Sequence, residues 1–189
     1  MEKAKGKLLA ADIAECGLFT ALMVAGAFIK IDFPLVPLTF QTVISVLAGL
    51  LLGARKGAFS MSVYCIMGLI GIPVFAAGGG LFYVLKPSFG YIIGFIVSAV
   101  VAGVAAGRKG LPFWRYLLGA VAAFLAGYAV GIPYCILAAH LLGVEDLWGL
   151  LVTGNLIYMP KDLALCILAA ILAWRVLPYI DKGRQKLGK

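Results

Sequence analysis

The amino-acid sequence predicts an all-α integral membrane protein with six transmembrane helices and both termini in the cytoplasm. Of its 189 residues, 63% are hydrophobic and 13% are charged, whereas soluble domains contain about 45–50% apolar and about 25% charged residues. A membrane-spanning helix needs about 20 apolar residues, so the chain is long enough for about six spans joined by short loops. A separate soluble catalytic or DNA-binding domain is therefore excluded.

Apolar runs between charged residues and Gly or Pro breaks define the six helices, which form a single membrane domain over residues 1–189. The predicted spans are residues 8–29, 36–53, 57–72, 88–107, 114–142 and 160–177. The first span follows three lysines, as the apolar core of a signal peptide would, but Asp12 and Glu15 interrupt its apolar run. We therefore predict a first helix that is retained.

The distribution of basic residues predicts the orientation of these spans. Thirteen of the sixteen lysines and arginines fall on one side. They are Lys3, Lys5, Lys7, Arg55, Lys56, Arg108, Lys109, Arg115, Arg175, Lys182, Arg184, Lys186 and Lys189. The other side has Lys30 and Lys86, and Lys161 lies near a helix end. The positive-inside rule places both termini in the cytoplasm, so the net charge of +8 indicates topology rather than nucleic-acid binding.

Two regions differ from plain membrane spans. Residues 73–87, PVFAAGGGLFYVLKP, form a Gly-rich outer connection that is too apolar for an ordinary solvated loop, and we expect it to fold back as a lid. Between residues 131–133 and Pro160 we expect a broken fifth helix followed by a short outer helix. Irregular backbone at membrane depth survives where it is buried in protein or lines a wet cavity. Both regions therefore predict one outward-facing pocket, with mere loop slack as the alternative.

Polar residues at the outer helix ends are the candidate ligand contacts. Lys161 and Asp162 follow Pro160, which is favoured in the first turn of a helix. A carboxylate only accepts hydrogen bonds and an ammonium only donates them, so this pair suits a ligand with N–H groups and an acid group. The alternative is a snorkelling lysine beside a helix-capping acid. Further candidates are Lys86 as a second cation, Thr39, Gln41 and Asn155 as neutral hydrogen-bonding groups, and the aromatic residues Phe40, Phe75, Phe82, Tyr83, Phe89, Tyr91 and Tyr158 as walls.

Small residues form a stripe along one face of the first helix. They recur at spacings of four, three, four and four at Ala10, Ala14, Gly17, Ala21 and Ala25. Such faces let membrane helices approach closely. The spacing leaves open whether the partner is another protein or the last helix of this chain. That helix carries Ala169, Ala170 and Ala173.

Motifs for several catalytic chemistries are missing from the sequence. It contains no phosphate-cradling G-x-x-x-x-G-K-[ST] loop, no H-E-x-x-H and no G-x-S-x-G. Four cysteines lie inside apolar runs without metal-ligand spacing, and we predict that they are buried thiols. These are Cys16, Cys65, Cys135 and Cys166. The residues alone therefore predict a membrane binding subunit, without an enzymatic activity, a metal or a cofactor of its own, whose energy source lies in its partners.

Four segments together resemble the BioY family, the biotin-binding S component of energy-coupling factor (ECF) transporters. They are PLVPLTFQTVISVLAGLLLGARKG, GLIGIPVFAAGGG, KPSFGYIIGF and MPKDLALCILAAILA. The resemblance implies six helices in a bacterial-type plasma membrane and a high-affinity biotin site on the outer side. It also implies a transmembrane coupling protein and two cytoplasmic ATPases as partners. Ala21 and Ala25, with Gly17 beside them, then correspond to the A-x-x-x-A contact with the coupling protein.

The resemblance also implies residue roles, with two departures from the usual pattern. The last motif of the family reads P-G-D-x-x-K, whereas Lys161 occupies the glycine position here and Leu165 the lysine position. We expect Asp162 to bind the ureido N–H groups of biotin and Lys161 or Lys86 to take over part of the polar contact. In the lid motif, Ser88-Phe89 replaces the common Thr-Gly before the candidate contacts Gly90 and Tyr91. Another vitamin, or a lipid-modifying membrane enzyme with Asp162 as its base, remains as an alternative.

Overall fold

The computed structural model describes residues 10–31, 36–106 and 111–187, and these residues form a mostly helical bundle. The elements in chain order are α1 (Ala10–Phe28), β1 (Lys30–Ile31), β2 (Leu38–Thr39), α2 (Gln41–Leu52), α3 (Ala54–Leu69), a 3₁₀ helix (Leu81–Leu85), α4 (Phe89–Ala105), α5 (Phe113–Leu141), α6 (Leu147–Leu151), a π turn (Val152–Leu156) and α7 (Met159–Leu187). The predicted all-α class therefore holds, apart from one short antiparallel hairpin that pairs Lys30 with Thr39. Some residues that the orientation prediction used, Lys3, Lys5, Lys7, Arg108, Lys109 and Lys189, lie outside the described ranges.

Three helical stretches of the described chain are long and apolar enough to cross a membrane. They are Ala10–Phe28, Phe113–Leu141 and the stretch Leu147–Ile180 that runs from α6 into α7. Two shorter apolar helices, Gln41–Leu52 and Phe89–Ala105, accompany them. Each predicted span overlaps an observed helix, but α2 begins at Gln41 rather than at residue 36, and α7 continues past the predicted end at residue 177. The six membrane crossings stay a prediction.

The connection between α2 and α3 is shorter than the sequence suggests. Gly53 alone joins the two helices, with a φ of 83° that glycine adopts without strain. Arg55 and Lys56 consequently lie in the first turn of α3 rather than in a loop. Nζ of Lys56 lies 2.6 Å from Asp12 and 3.2 Å from Glu15. The charges that interrupt the apolar run of α1 are thus paired with α3.

The fifth helix is not broken, so the prediction of a break at residues 131–133 is wrong. α5 continues through Pro133 to Leu141. Proline is tolerated inside membrane helices because neighbouring helices compensate for its missing N–H group. The short outer helix is present as α6, and the irregular backbone lies in the π turn that precedes α7. The sequence therefore correctly predicts an irregularity before Pro160 but places part of it in the wrong helix.

α4 lies at the centre of the bundle and packs against α2, α3 and α5. Glycines allow these backbones to touch, because a Cβ on Gly49 would overlap the carbonyl of Ala99. A Cβ on Gly94 would lie 2.7 Å from the carbonyl oxygen of Gly127. Close backbone approach through small residues is the usual means of packing helices in membranes. The helices that carry the polar residues described below are therefore held in a close-packed frame.

The small-residue stripe of α1 faces away from the bundle. All five members, Ala10, Ala14, Gly17, Ala21 and Ala25, are exposed. The alanines of α7 that were the candidate internal partner are fully buried, and α7 packs against α2 and α5. The alternative in which the stripe packs on the last helix of the same chain is therefore wrong. The four cysteines are buried, as predicted.

Candidate ligand-binding site

A cavity opens at one end of the bundle, between the hairpin, α2, α4, α5 and the start of α7. Its volume is about 50 Å³, well below the range of about 300–1,000 Å³ typical of small-molecule pockets, so the lining must move apart to admit a ligand of that size. Its lining consists of Val36, Pro37, Leu38, Thr39, Gln41, Thr42, Tyr64, Ala76, Tyr83, Ser88, Tyr91, Ile92, Phe95, Tyr128, Tyr158, Lys161 and Asp162. Apolar and aromatic walls with a few polar groups are typical of a pocket for a small organic molecule.

Asp162 is a buried carboxylate whose two oxygens have different surroundings. Oδ2 accepts hydrogen bonds from the hydroxyl of Tyr128 at 2.7 Å and from that of Thr42 at 3.0 Å. Oδ1 lies 2.7 Å from Nζ of Lys161 but accepts no hydrogen bond with suitable angles among the described residues. Only 5% of the surface of Asp162 is exposed. Oδ1 therefore retains acceptor capacity for the N–H group of a ligand in the cavity.

Lys161 joins the start of α7 to the hairpin. Its Nζ donates to the carbonyl oxygen of Thr39 at 2.8 Å and lies 5.4 Å from the centre of the Phe40 ring. The side chain is 28% exposed, so its ammonium group is open to the cavity as well as paired. An ammonium group with three donors can hold Thr39 and Asp162 and still meet an acidic group of a ligand.

A second group of polar residues links the floor of the cavity to the lid. The carboxamide of Gln41 accepts from the Thr39 hydroxyl at 3.3 Å and donates to the Tyr64 hydroxyl at 2.6 Å. The Tyr64 hydroxyl in turn donates to the carbonyl oxygen of Val74 at 3.2 Å. The lid is therefore linked by hydrogen bonds to Tyr64 and Gln41, which line the cavity.

The lid, residues 73–87, folds back over the end of α3. Phe75 is its anchor, because the ring is 1% exposed and lies directly on Gly68, where a Cβ would overlap it. Two lysines hold the neighbouring backbone: Lys30 donates to the carbonyl oxygen of Ala76 at 2.7 Å, and Lys86 donates to that of Ala77 at 2.9 Å. Ala76 and Tyr83 of the lid thus line the cavity, and the lid backbone is held by Lys30 of the hairpin and by its own Lys86.

Aromatic rings from α4 and α5 form one wall of the cavity. The ring of Tyr91 meets that of Tyr128 edge to face, with centroids 5.7 Å apart. Gly131 makes room for Tyr91, because a Cβ at residue 131 would lie 2.5 Å from the ring. The Tyr91 hydroxyl donates to Oδ1 of Asn155. This wall therefore carries both an apolar surface and the hydroxyl that holds Asp162.

The structure brings five of the predicted ligand-binding residues into the cavity lining: Thr39, Gln41, Tyr91, Lys161 and Asp162. Four others lie outside it. Phe75 packs under the lid, Gly90 packs against Tyr134, Asn155 lies behind Tyr91, and Lys86 is exposed with its Nζ 4.8 Å from the centre of the Tyr83 ring.

Of the predicted aromatic walls, Tyr83 and Tyr158 line the cavity, whereas Phe40 and Phe89 do not line it and Phe82 is 86% exposed. Sequence reasoning missed the lining residues Thr42, Tyr64, Ser88, Phe95 and Tyr128. Thr42 lies beside the polar motif that was recognised, but Tyr128 offers no signal beyond being one tyrosine in an apolar helix. Among the described residues, no group of three or more His, Cys, Asp or Glu side chains is placed to hold a metal ion.

Comparison with known proteins places this fold and cavity in a family. The sequence model of the BioY family matches residues 1–182. The chain belongs to the BioY family. Among its relatives are other BioY proteins from bacteria and archaea, and no single region of the chain accounts for the likeness.

Two relatives illustrate the extent of the similarity between this BioY-family chain and named proteins. It is 42% identical over 170 residues to the probable biotin transporter BioY of Lysinibacillus sphaericus, covering 88% of this chain and 87% of that protein. It is 33% identical over 165 residues to the biotin transporter BioY of Thermotoga maritima, covering 87% and 94% respectively.

A solved structure has the same fold. The crystal structure of the S-component for biotin from an ECF-type ABC transporter matches with a TM-score of 0.72 and 23% identity, covering 90% of this chain and 94% of that one. At this identity the comparison supports the architecture of the BioY-family chain. The arrangement of helices described above is therefore that of a known membrane transport subunit.

Proposed function

We propose that this BioY-family protein is the high-affinity biotin-binding S component of an ECF-type vitamin transporter. The relatives named as biotin transporters match most of the chain, and the fold is that of a biotin S component. The family relation also supports a transport role rather than an enzymatic one. The protein is then a multi-pass protein of a bacterial-type cell membrane.

The proposed topology has six transmembrane helices, and both termini lie in the cytoplasm. The hairpin with Lys30 and the lid with Lys86 lie at the cavity end of the bundle. Arg55, Lys56 and Arg175 belong to the predicted basic side. Because basic residues mark cytoplasmic loops, the cavity faces outward and captures biotin from outside the cell.

The observation that carries the binding proposal is the spare acceptor capacity of Oδ1 of Asp162. Oδ2 accepts from the hydroxyls of Thr42 and Tyr128, whereas the buried Oδ1 lies 2.7 Å from Nζ of Lys161 and accepts no hydrogen bond with suitable angles among the described residues. A ureido ring presents N–H donors, and an N–H that donates to a charged carboxylate makes a stronger hydrogen bond than one to a neutral acceptor. We propose that Oδ1 of Asp162 receives the ureido N–H of biotin.

The remaining proposed contacts follow from the lining. Thr39 and Gln41 supply neutral polar groups, and Tyr91 supplies an aromatic surface beside the sulfur-containing ring. The biotin carboxylate meets Lys161 or Lys86. Lys161 lines the cavity, but its Nζ lies 2.7 Å from Oδ1 of Asp162, where the ureido ring is proposed to bind, whereas Lys86 would have to release the carbonyl oxygen of Ala77.

The proposed partners are a transmembrane coupling protein and two cytoplasmic ATPases. The exposed stripe with Gly17, Ala21 and Ala25 supplies a face that another helix can approach closely. A groove along α1 and α3 includes two of these residues, Gly17 and Ala21, and is almost entirely apolar. Because the sequence has no phosphate-binding loop, the partner ATPases supply the energy that tilts the subunit and releases biotin inward.

Equilibrium binding of labelled biotin to the purified chain in detergent tests the proposal. Wild type is compared with Asp162→Asn, and with Glu145→Gln as a control that removes an exposed carboxylate from the loop before α6. We expect saturable binding by wild type and the control, a loss of more than tenfold in affinity for Asp162→Asn, and no competition by riboflavin or thiamine. A folded wild type that binds riboflavin or thiamine instead of biotin would contradict the proposal.

A further inference from the structure

We propose that Asn155 is a positioning residue that sets the geometry of the binding site through Tyr91 and does not itself contact the ligand. The inference rests on the proposed function, because the geometry that it sets is that of the biotin pocket. It assigns a purpose to the π turn between α6 and α7.

Both ends of the Asn155 side chain are already occupied. The residue is fully buried, its Nδ2 donates to the carbonyl oxygen of Leu150 at 3.0 Å, and its Oδ1 accepts from the Tyr91 hydroxyl. The amide has one possible orientation here, because a carbonyl oxygen such as that of Leu150 can only accept. Oδ1 must therefore face Tyr91. Asn155 does not line the cavity, so its polar groups serve the protein rather than the ligand.

The π turn accounts for the unusual placement of this amide. A π turn has one residue more than a turn of α-helix, and π turns are rare and occur frequently at functional sites. One extra residue changes the direction of the following side chains by about 100°, the rotation per residue of an α-helix. In this chain the turn covers Val152–Leu156. Asn155 lies within this turn, and its side chain reaches Tyr91 of α4.

Tyr91 is the residue through which Asn155 acts. Its ring lines the cavity, contacts the Tyr128 ring and lies against Gly131. Gly131 allows the Tyr91 ring to approach α5 closely, and the hydrogen bond to Asn155 fixes the position of the Tyr91 hydroxyl. Tyr128 in turn donates to Asp162. A displaced Tyr91 would therefore alter both the aromatic wall and the tyrosine that orients the carboxylate.

A double-mutant cycle tests this inference. The variants are Asn155→Leu, which keeps the number and branching of the side-chain heavy atoms but loses both hydrogen bonds, Tyr91→Phe, which loses the hydroxyl, and the double variant. Tyr116→Phe is the control, because Tyr116 is a buried tyrosine of α5 that does not line the cavity. Dissociation constants for labelled biotin and unfolding temperatures without ligand are measured for each protein in detergent.

We expect each single variant to weaken biotin binding about tenfold, and the double variant to bind no more than about threefold more weakly than either single one. The decrease in unfolding temperature of the double variant should likewise be smaller than the sum of the decreases of the two single variants. A double variant that is about a hundredfold weaker, or an Asn155→Leu variant that binds like wild type, would overturn the inference. If wild type binds no biotin, the proposed function fails. Additive shifts in unfolding temperature without ligand would then contradict the coupling of Asn155 to Tyr91, and non-additive shifts would support it.

Discussion

Removal of the Tyr128 hydroxyl tests how the buried carboxylate is held. The Tyr128→Phe variant keeps the ring that packs against Tyr91 and loses the 2.7 Å hydrogen bond to Oδ2 of Asp162. A hydrogen bond to a charged group contributes about 1.5–3 kcal/mol, which corresponds to about tenfold to 150-fold in affinity if it is expressed fully in binding. Because Thr42 still donates to Oδ2 at 3.0 Å, the lower end applies. We expect biotin to bind about tenfold more weakly.

The assay is equilibrium binding of labelled biotin in detergent, with Thr42→Val and the Tyr128→Phe/Thr42→Val double variant beside it. Thr42→Val should have a smaller effect, because its hydrogen bond to Asp162 is longer. The double variant leaves Oδ2 without either hydroxyl, and its affinity should approach that of Asp162→Asn. If Tyr128→Phe elutes as a monodisperse, folded protein and binds biotin like wild type, the carboxylate does not need this hydroxyl and the reasoning fails.

Three further predictions concern the wall, the lid and the lysines. Gly131→Ala places a methyl group 2.5 Å from the Tyr91 ring, and since overpacking costs about 1–3 kcal/mol we expect weaker biotin binding in the same assay. Gly17→Ala, where the added methyl group meets nothing within 4 Å, should bind biotin like wild type. Lys30→Met removes the 2.7 Å hydrogen bond to the lid at Ala76, so biotin should dissociate about threefold to tenfold faster in a stopped-flow experiment; an unchanged dissociation rate would show that the lid does not depend on this lysine. Lys161→Met and Lys86→Met are compared for binding of biotin and of its methyl ester. The variant that no longer prefers the acid over the ester identifies the lysine that meets the carboxylate. If both variants still prefer the acid, the assigned contact is contradicted.

Local features of the sequence predict some of this architecture well. The apolar segments correspond to the helices, because the composition of a membrane span is nearly independent of its neighbours. Pro160 at the start of α7 places Lys161 and Asp162 together at a helix end, and the structure finds both in the cavity lining. A proline followed by charged residues before an apolar run is a local signal, so no knowledge of the tertiary fold was needed.

Other features depend on tertiary packing and were missed or predicted wrongly. Tyr128 and Thr42 lie 34 and 120 positions from Asp162 along the chain, so no spacing rule connects them. The break expected near Pro133 is absent, because α5 continues through this residue and proline is tolerated inside packed membrane helices. The spacing of the stripe on α1 correctly groups its small residues on one face, but spacing does not determine what that face packs against.

The continuity of α7 has a mechanical consequence. Between Pro160 and Pro178 the helix contains no proline or glycine, and at 1.5 Å per residue the 19 residues from 159 to 177 extend for about 28 Å. That length is close to the thickness of the hydrocarbon core, about 30 Å. Asp162 and Arg175 therefore lie near opposite ends of one continuous helical segment. A small axial displacement of the carboxylate would therefore displace the end of the helix that carries Arg175 by a similar amount.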